Sequence, residues 1–250
     1  MAAYNPDVQR LFIGEALNAR EMGAMPLADG KVFKKGLFVR SGSPKEASPE
    51  GLRLMKEYNI KTVIDLRSPI ELKKFGNPFA EDPDINFMNI PLFRGDPDAL
   101  DKDDTMVFLR THQLGDFYVI VLQTLQHEIA KVMKILTDNE DGVCLFHCAH
   151  GKDRTGIIAA LLYLLAGASR EDIILNYKVS YDYAADFLDP LIAKREDILK
   201  HTLRSDAVNM EIMLNWLDSE YDGDVISYLL STGLSMADIN KLRKKIICDP

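Results

Sequence analysis

The chain has 250 residues, a formal net charge of −8 and a hydrophobic content of 47%, which predicts one large or two small domains with an ample core. The acidic balance argues against a nucleic-acid-binding protein, and no apolar run reaches the roughly 18 residues of a transmembrane helix, so no integral membrane segment is expected. With no basic-then-apolar leader visible and only three cysteines, we expect a cytoplasmic protein without a disulfide framework, while export without such a signal stays open.

Predicted strands and helices alternate along the chain. Short apolar runs predict strands, the first of them either a whole strand or one arm of a hairpin, at residues 32–40, 60–66, 85–90 and 143–146. Helices are predicted at residues 49–58, from residue 69 and, where apolar residues recur at helical spacing, within residues 116–136. Ser48 is the expected N-cap of the first helix, with Pro49 at its first position. We therefore expect a single α/β domain over residues 1–250, with a mainly parallel central sheet flanked by helices and a helical C-terminal portion.

Residues 91–115 form the least regular region of the chain. Aspartates are concentrated there, namely Asp96, Asp98, Asp101, Asp103 and Asp104. One interpretation is a solvated acidic loop, and the other is a lid or insertion that covers a pocket. The pattern leaves both open.

Residues 147–156 read His-Cys-Ala-His-Gly-Lys-Asp-Arg-Thr-Gly, between the predicted strand 143–146 and an apolar run that starts at Ile157. This layout predicts a strand, a tight turn and a buried helix. Cys148 and Arg154 bracket five residues of the turn. Backbone N–H groups of such a turn, at a helix N terminus, can surround one tetrahedral anion. The anion would then lie over a thiol with a guanidinium beside it, which is the outline of a cysteine-dependent phosphatase.

The residue types in this turn suit phosphoryl transfer. A helix N terminus and nearby cations favour a thiolate, and the Cys148 thiolate can attack phosphorus to form a phosphocysteine. Arg154 can donate two parallel charge-assisted hydrogen bonds to phosphate oxygens. Thr155 can donate to the sulfur when it becomes the leaving group. The remaining expected substrate-binding residues of the turn are Ala149, His150, Gly151, which permits a positive φ, and Lys152.

The leaving alcohol needs a proton, and two aspartates are candidates for the general acid. Asp153 lies in the turn itself, although it could instead tie the turn to a neighbouring arginine. Asp96, which precedes Pro97, is the second candidate. The charge of Lys152, together with any charge on His150, mildly favours a substrate that carries more than one phosphate.

Several charged residues outside the turn have two interpretations each. Asp65 ends a predicted strand that could lie beside the strand ending at His147, and its carboxylate would then reach Lys152 or Arg154 and bind there as part of the site. Alternatively, Asp65 caps the turn before the helix that follows. Three arginines either surround the pocket or make structural ion pairs, namely Arg20, Arg40 and Arg67.

Residues 147–156 resemble the signature of the bacterial and fungal tyrosine-phosphatase-like family, His-Cys-x-x-Gly-Lys-Asp-Arg-Thr-Gly. Residues 18–21 resemble its Asn-Phe-Arg-Asp element, with Ala for Phe and Glu for Asp, and residues 36–42 resemble its Gly-x-x-x-Arg-Ser-Gly strand. An Asp-Leu-Arg segment at residues 65–67 and a C-terminal pattern extend the similarity over roughly residues 15–247. The resemblance implies a cysteine-phosphatase-like fold that uses no metal and no other cofactor. It also implies activity on phosphotyrosine and often on phosphoinositides.

The favoured function is therefore phosphomonoester hydrolysis, with a phosphorylated protein (phosphotyrosine, phosphoserine or phosphothreonine) or a phosphoinositide as substrate. A catalytically silent phosphate-binding module is disfavoured because the residues expected to act are all present. A sulfur transferase of the rhodanese type also places a cysteine in an anion-binding loop. The Gly-Lys-Asp-Arg-Thr-Gly sequence and the wider resemblance argue against that alternative.

Overall fold

The computed structural model describes residues 4–99 and 102–250. Its strands are β1 (Arg20–Glu21), β2 (Val32–Phe33), β3 (Phe38–Ser41), β4 (Ile60–Asp65), β5 (Asn86–Asn89), β6 (Val143–His147) and β7 (Ile247–Cys248). The main sheet has the order β1-β3-β6-β4-β5, and β2 pairs with β7 in a separate two-stranded sheet. Strands β3, β6, β4 and β5 are parallel, and only β1 runs antiparallel to its neighbour in the main sheet.

Helices cover the sheet and form the C-terminal part of the chain. They are α1 (Pro49–Glu57), α2 (Pro69–Phe75), α3 (Asp104–Phe108), α4 (Leu114–Thr124), α5 (Gln126–Asp138), α6 (Asp153–Ala166), α7 (Arg170–Asp182), α8 (Ala185–Lys194), α9 (Ala207–Tyr221), α10 (Val225–Ser231) and α11 (Met236–Ile246). The predicted α/β fold with a mainly parallel sheet and a helical C-terminal portion is confirmed. No described helix is long and apolar enough to cross a membrane.

The central strand β6 is buried on both faces. Successive side chains of a strand point to opposite faces, so Val143 and Leu145 join one apolar cluster while Cys144 and Phe146 join the larger cluster on the other face. Helix α6, which follows β6 after a turn, is apolar almost all round, as expected for a helix enclosed by the core.

Two predicted elements differ from the structure. Residues 32–40 contain two strands of different sheets, because Gly36 has a φ of +75° between them and redirects the chain. The long helix predicted within residues 116–136 is broken at Leu125, which has φ −116° and ψ 33°. The apolar spacing continues across this break on one buried face, so periodicity alone does not reveal it.

The predicted start of α1 is confirmed, since the Ser48 side chain accepts a hydrogen bond from Gly51 N at 3.1 Å. Helix α2 begins with a capping box, in which Ser68 and Glu71 each bond the backbone N–H of the other. This second cap is important for the site described next, because it fixes the position of the Glu71 side chain.

Candidate active site

The residues singled out in the sequence lie at the carboxyl edge of the main sheet. Ser41 at the end of β3 and Asp65 at the end of β4 both register with His147 at the end of β6. Cys148 follows directly and is 1% exposed. Ligands of parallel α/β sheets bind at this edge, and the turn formed by residues 148–154 (the 148–154 loop) lies there.

The carbonyl groups of the 148–154 loop are bonded from outside the loop. Ser43 N donates to Ala149 O at 2.9 Å. The amide of Asn18 donates to the carbonyls of His150 and Gly151 at 3.2 and 3.0 Å, and Arg40 Nη2 donates to Gly151 O at 2.9 Å. The N–H of a trans peptide points away from its C=O, so the N–H groups of residues 150–152 face the concave side. That side is therefore built to accept an anion.

The predicted positive φ of Gly151 is confirmed at +68°. A Cβ atom at this position would lie 2.3 Å from the carbonyl carbon of Ser41 and 2.5 Å from Gly42 N. The loop therefore packs directly on the backbone that follows β3. Glycine is required at this position both for its backbone conformation and for this close approach.

Arg154 is held by a residue that the sequence did not single out. Its Nη1 and Nη2 donate to the two carboxylate oxygens of Glu71 at 2.5 and 3.0 Å, and both residues are buried. Burial opposes the charge of Arg154, but Glu71 outweighs it and raises the pKa of the guanidinium. The Nε–H and the second hydrogen of each terminal nitrogen remain for an anion. The capping-box spacing of Ser68 and Glu71 was visible in the sequence, but its tertiary partner was not.

Asp65 does not reach Lys152 or Arg154, so that prediction is wrong. Its side chain is 0% exposed and forms an ion pair with Arg67, with Oδ2 at 2.6 Å from Nη2. Asn77 bridges Asp65 Oδ2 at 3.0 Å and His147 Nε2 at 2.9 Å. Burial raises the pKa of Asp65, but the basic neighbours His147 and Arg67 lower it to about 2. Asp65 thus lies beneath the loop, where it does not face the concave side.

His147 supports the backbone at Cys148. Its Nδ1 lies 3.0 Å from Cys148 O, and its Nε2 faces the amide nitrogen of Asn77. These partners fit a neutral ring that carries its proton on Nδ1, because the carbonyl can only accept and the amide nitrogen can only donate.

Lys152 is fully occupied inside the protein. Its side chain is 0% exposed, and Nζ donates to Asp153 Oδ1 at 2.7 Å, to Thr202 O at 3.2 Å and to Arg204 O at 2.8 Å. An ammonium has three donors, so none remains for a second phosphate. The expectation that Lys152 adds a free charge to the pocket is wrong, since it ties the loop to the segment around residues 202–204.

Asp153 lines the pocket at the start of α6 and has a second partner besides Lys152. The hydroxyl of Tyr118, a buried residue of α4, donates to the same oxygen, Oδ1. Tyr118 in turn contacts the Tyr177 hydroxyl at 2.7 Å, and Asn209 donates to Tyr177 at 3.4 Å. This buried hydroxyl chain fixes the orientation of the Asp153 carboxyl group. No local pattern indicated this hydroxyl chain beyond the apolar spacing of the helices.

Asp96, the other candidate acid, lies in a turn of its own. Its Oδ1 accepts from Asp98 N at 3.0 Å, and its N–H donates to Asp103 Oδ2 at 3.0 Å. Of the described part of the chain, Pro97 and Asp98 line the pocket but Asp96 does not. Asp101, named in the acidic cluster, lies outside the described residues. Described residues of this segment line one side of the pocket, which both a fixed loop and a lid would do. The lid over residues 91–115 therefore stays a prediction.

His150 and Thr155 complete the loop. Burial, and then the charge of Lys152, lower the pKa of His150 to about 4, so its ring is neutral at pH 7 and adds no charge to the pocket. This corrects the expectation that His150 favours a second phosphate. Thr155 is 0% exposed, and its Oγ1 has no hydrogen-bond partner within residues 4–99 and 102–250.

The three outlying arginines are buried, and one of them, Arg67, also lines the pocket. Arg20, Arg40 and Arg67 are at most 1% exposed. Arg67 lines part of the cavity while paired with Asp65, as the alternative of a structural ion pair predicted. Arg20 and Arg40 lie behind the 148–154 loop and bond to neutral groups. They therefore neither surround the pocket nor form ion pairs with described residues, so both interpretations were wrong for them.

Above the loop lies a cavity of about 310 Å³ whose lining is mostly apolar. One side comes from Pro97, Asp98 and residues in and around α3 and α4, and the other from α8 and residues 202–203. The apolar side chains are Phe75, Phe93, Met106, Leu109, Leu114, Phe117, Phe187, Leu191 and Leu203. In the described part of the chain, no group of three His, Cys, Asp or Glu side chains is arranged to hold a metal ion.

The parallel sheet thus leads a cysteine into an arginine-containing turn directly before a buried helix. Residues 12–248 match the sequence profile of the tyrosine phosphatase family, and the chain belongs to that family. The resemblance inferred from the sequence is thereby confirmed.

Three relatives have assigned names. A protein of Cupriavidus necator, named as a candidate tyrosine-protein phosphatase, is 29% identical over 182 residues, which cover 71% of this chain and 65% of the relative. The tyrosine-protein phosphatase of Nostoc commune is 33% identical over 146 residues, covering 58% of this chain and 49% of the relative. The inositol diphosphatase DSP2 of Arabidopsis thaliana is 24% identical over 196 residues, covering 73% and 74%. The chain thus spans about half to two thirds of the length of the two bacterial relatives.

Among solved structures, TpbA of P. aeruginosa is similar to this chain with a TM-score of 0.44 and 14% identity, covering 84% of this chain and 98% of TpbA.

Proposed function

We propose that the protein hydrolyses phosphotyrosine through a phosphocysteine intermediate on Cys148. The observation that carries the proposal is the 148–154 loop, whose carbonyls are bonded outward so that its N–H groups surround the space over the thiol. Arg154 is fixed beside that space by Glu71. Donors that are already in place need no reorganisation when the equatorial oxygens of phosphorus gain charge.

The reaction has two displacements. In the first, the Cys148 thiolate attacks phosphorus, an S–P bond forms, the P–O bond to the tyrosyl oxygen breaks, and Asp153 gives that oxygen a proton. In the second, water attacks phosphorus, Asp153 takes a proton from the water, and the S–P bond breaks to release phosphate. Thr155 Oγ1, which is buried and without another described partner, donates to the departing sulfur.

The contacts of Asp153 favour it over Asp96 as the general acid. Lys152 and Tyr118 both bond to Oδ1, so Oδ2 is the oxygen that remains to carry the proton for the leaving group. Asp153 also lines the cavity, whereas the Asp96 carboxylate closes a local turn. Geometry is the first requirement for a general acid.

The cavity supports an aryl ester over a polyphosphorylated inositol ring. Its lining is mostly apolar and includes several aromatic rings, which favours a phenyl ring, although Arg67 and Arg195 also line it. Lys152 has no free donor and His150 is neutral, so the loop offers no second cationic site. Two bacterial relatives have tyrosine phosphatase names, which agrees with this substrate. The name of the plant relative makes an inositol phosphate or phosphoinositide the second candidate.

Phosphate release from a substrate panel tests the proposal. The panel contains phosphotyrosine, phosphoserine and phosphothreonine peptides and mono- to tris-phosphorylated phosphoinositides, assayed with EDTA between about pH 5 and 8. We expect phosphotyrosine to be turned over fastest. Cys148→Ser should abolish turnover, and Cys148→Ala should bind the peptide without releasing phosphate.

Lys152→Met separates the two substrate classes. If Lys152 is a tether, this change lowers turnover of phosphotyrosine and of phosphoinositides alike. A loss confined to the polyphosphorylated substrates would show that Lys152 contacts a second phosphate and would favour the second candidate. Release from no member of the panel would contradict the proposal, and a sulfur-transfer assay would follow.

A further inference from the structure

Two buried arginines behind the 148–154 loop have no counter-ion among the described residues. Arg20 is 0% and Arg40 1% exposed, and the two residues register with each other across β1 and β3. The other buried guanidiniums, of Arg67 and Arg154, are each paired with a carboxylate. Within residues 4–99 and 102–250, no aspartate or glutamate forms a hydrogen bond to Arg20 or Arg40.

The partners of both guanidiniums are neutral. Arg20 donates to Asn176 O at 2.5 Å and to Ser180 Oγ at 2.8 Å. Arg40 donates to Asn176 Oδ1 at 2.9 Å and to Gly151 O at 2.9 Å. The Nε atoms of both side chains are buried without a described partner. Asn176, from α7, is thus the one residue that links the two.

Unpaired buried charge is strongly disfavoured, so proteins retain it only where another charge compensates it. Loss of a proton does not remove the charge of Arg20 at neutral pH. Burial, and then repulsion by Arg40, lower the pKa of Arg20 only to about 9. The compensating anion must therefore lie close by, and the contact of Arg40 with Gly151 O places this charge on the outer side of the anion-binding loop.

We propose that Arg20 and Arg40 are a permanent positive charge behind the loop whose counter-charge is the Cys148 thiolate and the phosphate bound over it. They are positioning residues that touch no substrate and set the affinity of the loop for anions. The inference rests on the proposed function only in that the loop binds phosphate over Cys148. It adds that the buried pair, besides the loop amides and Arg154, determines how tightly phosphate binds.

Asn176→Asp tests the proposal by giving the pair a counter-ion of nearly the same shape. A buried aspartate between two guanidiniums ionises, so it compensates one of the two positive charges behind the loop. We expect inorganic phosphate to protect Cys148 from alkylation by iodoacetamide with about tenfold weaker affinity. The pH at which alkylation becomes fast should rise. Asn176 Nδ2 also donates to the Tyr4 hydroxyl and to Gln9 Oε1, and an aspartate loses these two bonds, so the unfolding temperature falls whatever the role of the arginine pair. A purely structural role would lower stability but leave the pH dependence of alkylation unchanged.

The matched control is Asn139→Asp, which adds the same charge at the opposite edge of the sheet, where Asn139 bonds to Thr62 and Gly142. It should leave phosphate protection unchanged. If Asn176→Asp does not fold, Arg20→Met decides, because it removes one of the two charges and Arg20 itself has no hydrogen bond to the loop.

Weaker phosphate protection in folded Arg20→Met supports the proposal, and unchanged protection in the folded variants overturns it. Both readouts need only binding and alkylation at Cys148. The wild-type protein could be protected by phosphate and yet release none from the substrate panel. That result would contradict the proposed function, and the variants would still test this inference.

Discussion

The floor and the walls of the cavity are held by different forces. The floor is the 148–154 loop. Hydrogen bonds to residues outside the loop hold it and restrict its movement. The walls, formed by described residues of the ranges 97–98 and 105–114 and by α8 with residues 202–203, meet the cavity mainly through apolar side chains. Hydrogen bonds are directional and apolar contacts are not. Changes to the floor should therefore affect the chemical step, and changes to the walls should affect substrate binding.

Gly151→Ala should have the largest effect. The new Cβ would meet the backbone of Ser41 and Gly42 at 2.3 and 2.5 Å in a conformation with φ +68°, so the loop must move. A displacement of about 1 Å in a catalytic group can cost roughly a hundredfold, and we expect kcat/KM for an aryl phosphate to fall by at least about that factor.

Gly30→Ala is the control for this change. Gly30 has a similar φ of +74°, but nothing lies within 4 Å of a Cβ there. It should cost about 1 to 2 kcal/mol of stability and leave kcat/KM unchanged. Equal losses of activity in the two variants would show that backbone strain, rather than the fit of the loop, is responsible.

Glu71→Gln should be next in size. Gln preserves the shape and the capping contact but removes the charge that fixes Arg154 through two hydrogen bonds. We expect kcat/KM to fall on the order of tenfold to a hundredfold, because the guanidinium is no longer held in place for the transition state.

Ser68→Ala removes the cap of α2, in which Glu71 also takes part, without touching Arg154. It should cost about 1 kcal/mol of stability and little activity, as measured by thermal unfolding and steady-state kinetics. If Ser68→Ala lowers kcat/KM as much as Glu71→Gln, the helix position matters and the ion pair does not.

Tyr118→Phe tests how Asp153 is oriented. Loss of the hydroxyl removes one of the two donors to Oδ1, so the carboxyl group can rotate away from the leaving oxygen. We expect kcat for phosphotyrosine to fall about tenfold, within the range that general acids contribute. The loss should be smaller for p-nitrophenyl phosphate, whose leaving group needs less protonation.

Tyr228→Phe provides the comparison, because it removes another buried tyrosine hydroxyl, one that bonds Leu122 O at 3.0 Å. It should reduce stability without any dependence on the leaving group. A uniform loss for both substrates in Tyr118→Phe would argue against an orienting role for that hydroxyl.

Local sequence predicted the floor far better than it predicted the contacts that hold it. The strand, turn and helix around Cys148, and the positive φ of Gly151, depend on neighbours in the chain and were correct. The partner of Arg154 is Glu71, which lies far away in sequence, and no local pattern encodes that pairing.

Charge alone was a poor guide to exposure. Lys152 and Asp65 were expected to face the site or each other, yet backbone carbonyls and Arg67 satisfy them inside the protein. A sequence shows which residues carry charge, but the direction of each side chain depends on elements that meet only in the folded state. The break at Leu125 illustrates the same limit for a helix, because both of its halves bury the same apolar face.

Phe187→Ala should have the smallest effect and should act on binding alone. Phe187 lines the cavity from α8 and lies 5.8 Å from the His150 ring, but it is already 42% exposed. Its truncation removes only part of an apolar contact, so we expect KM for phosphotyrosine peptides to rise about threefold with kcat unchanged. Phe12→Ala, a residue 83% exposed and outside this cavity, should change neither constant. A fall in kcat for Phe187→Ala would mean that the walls also position the floor through His150, and the separation of binding from chemistry would then fail at that contact.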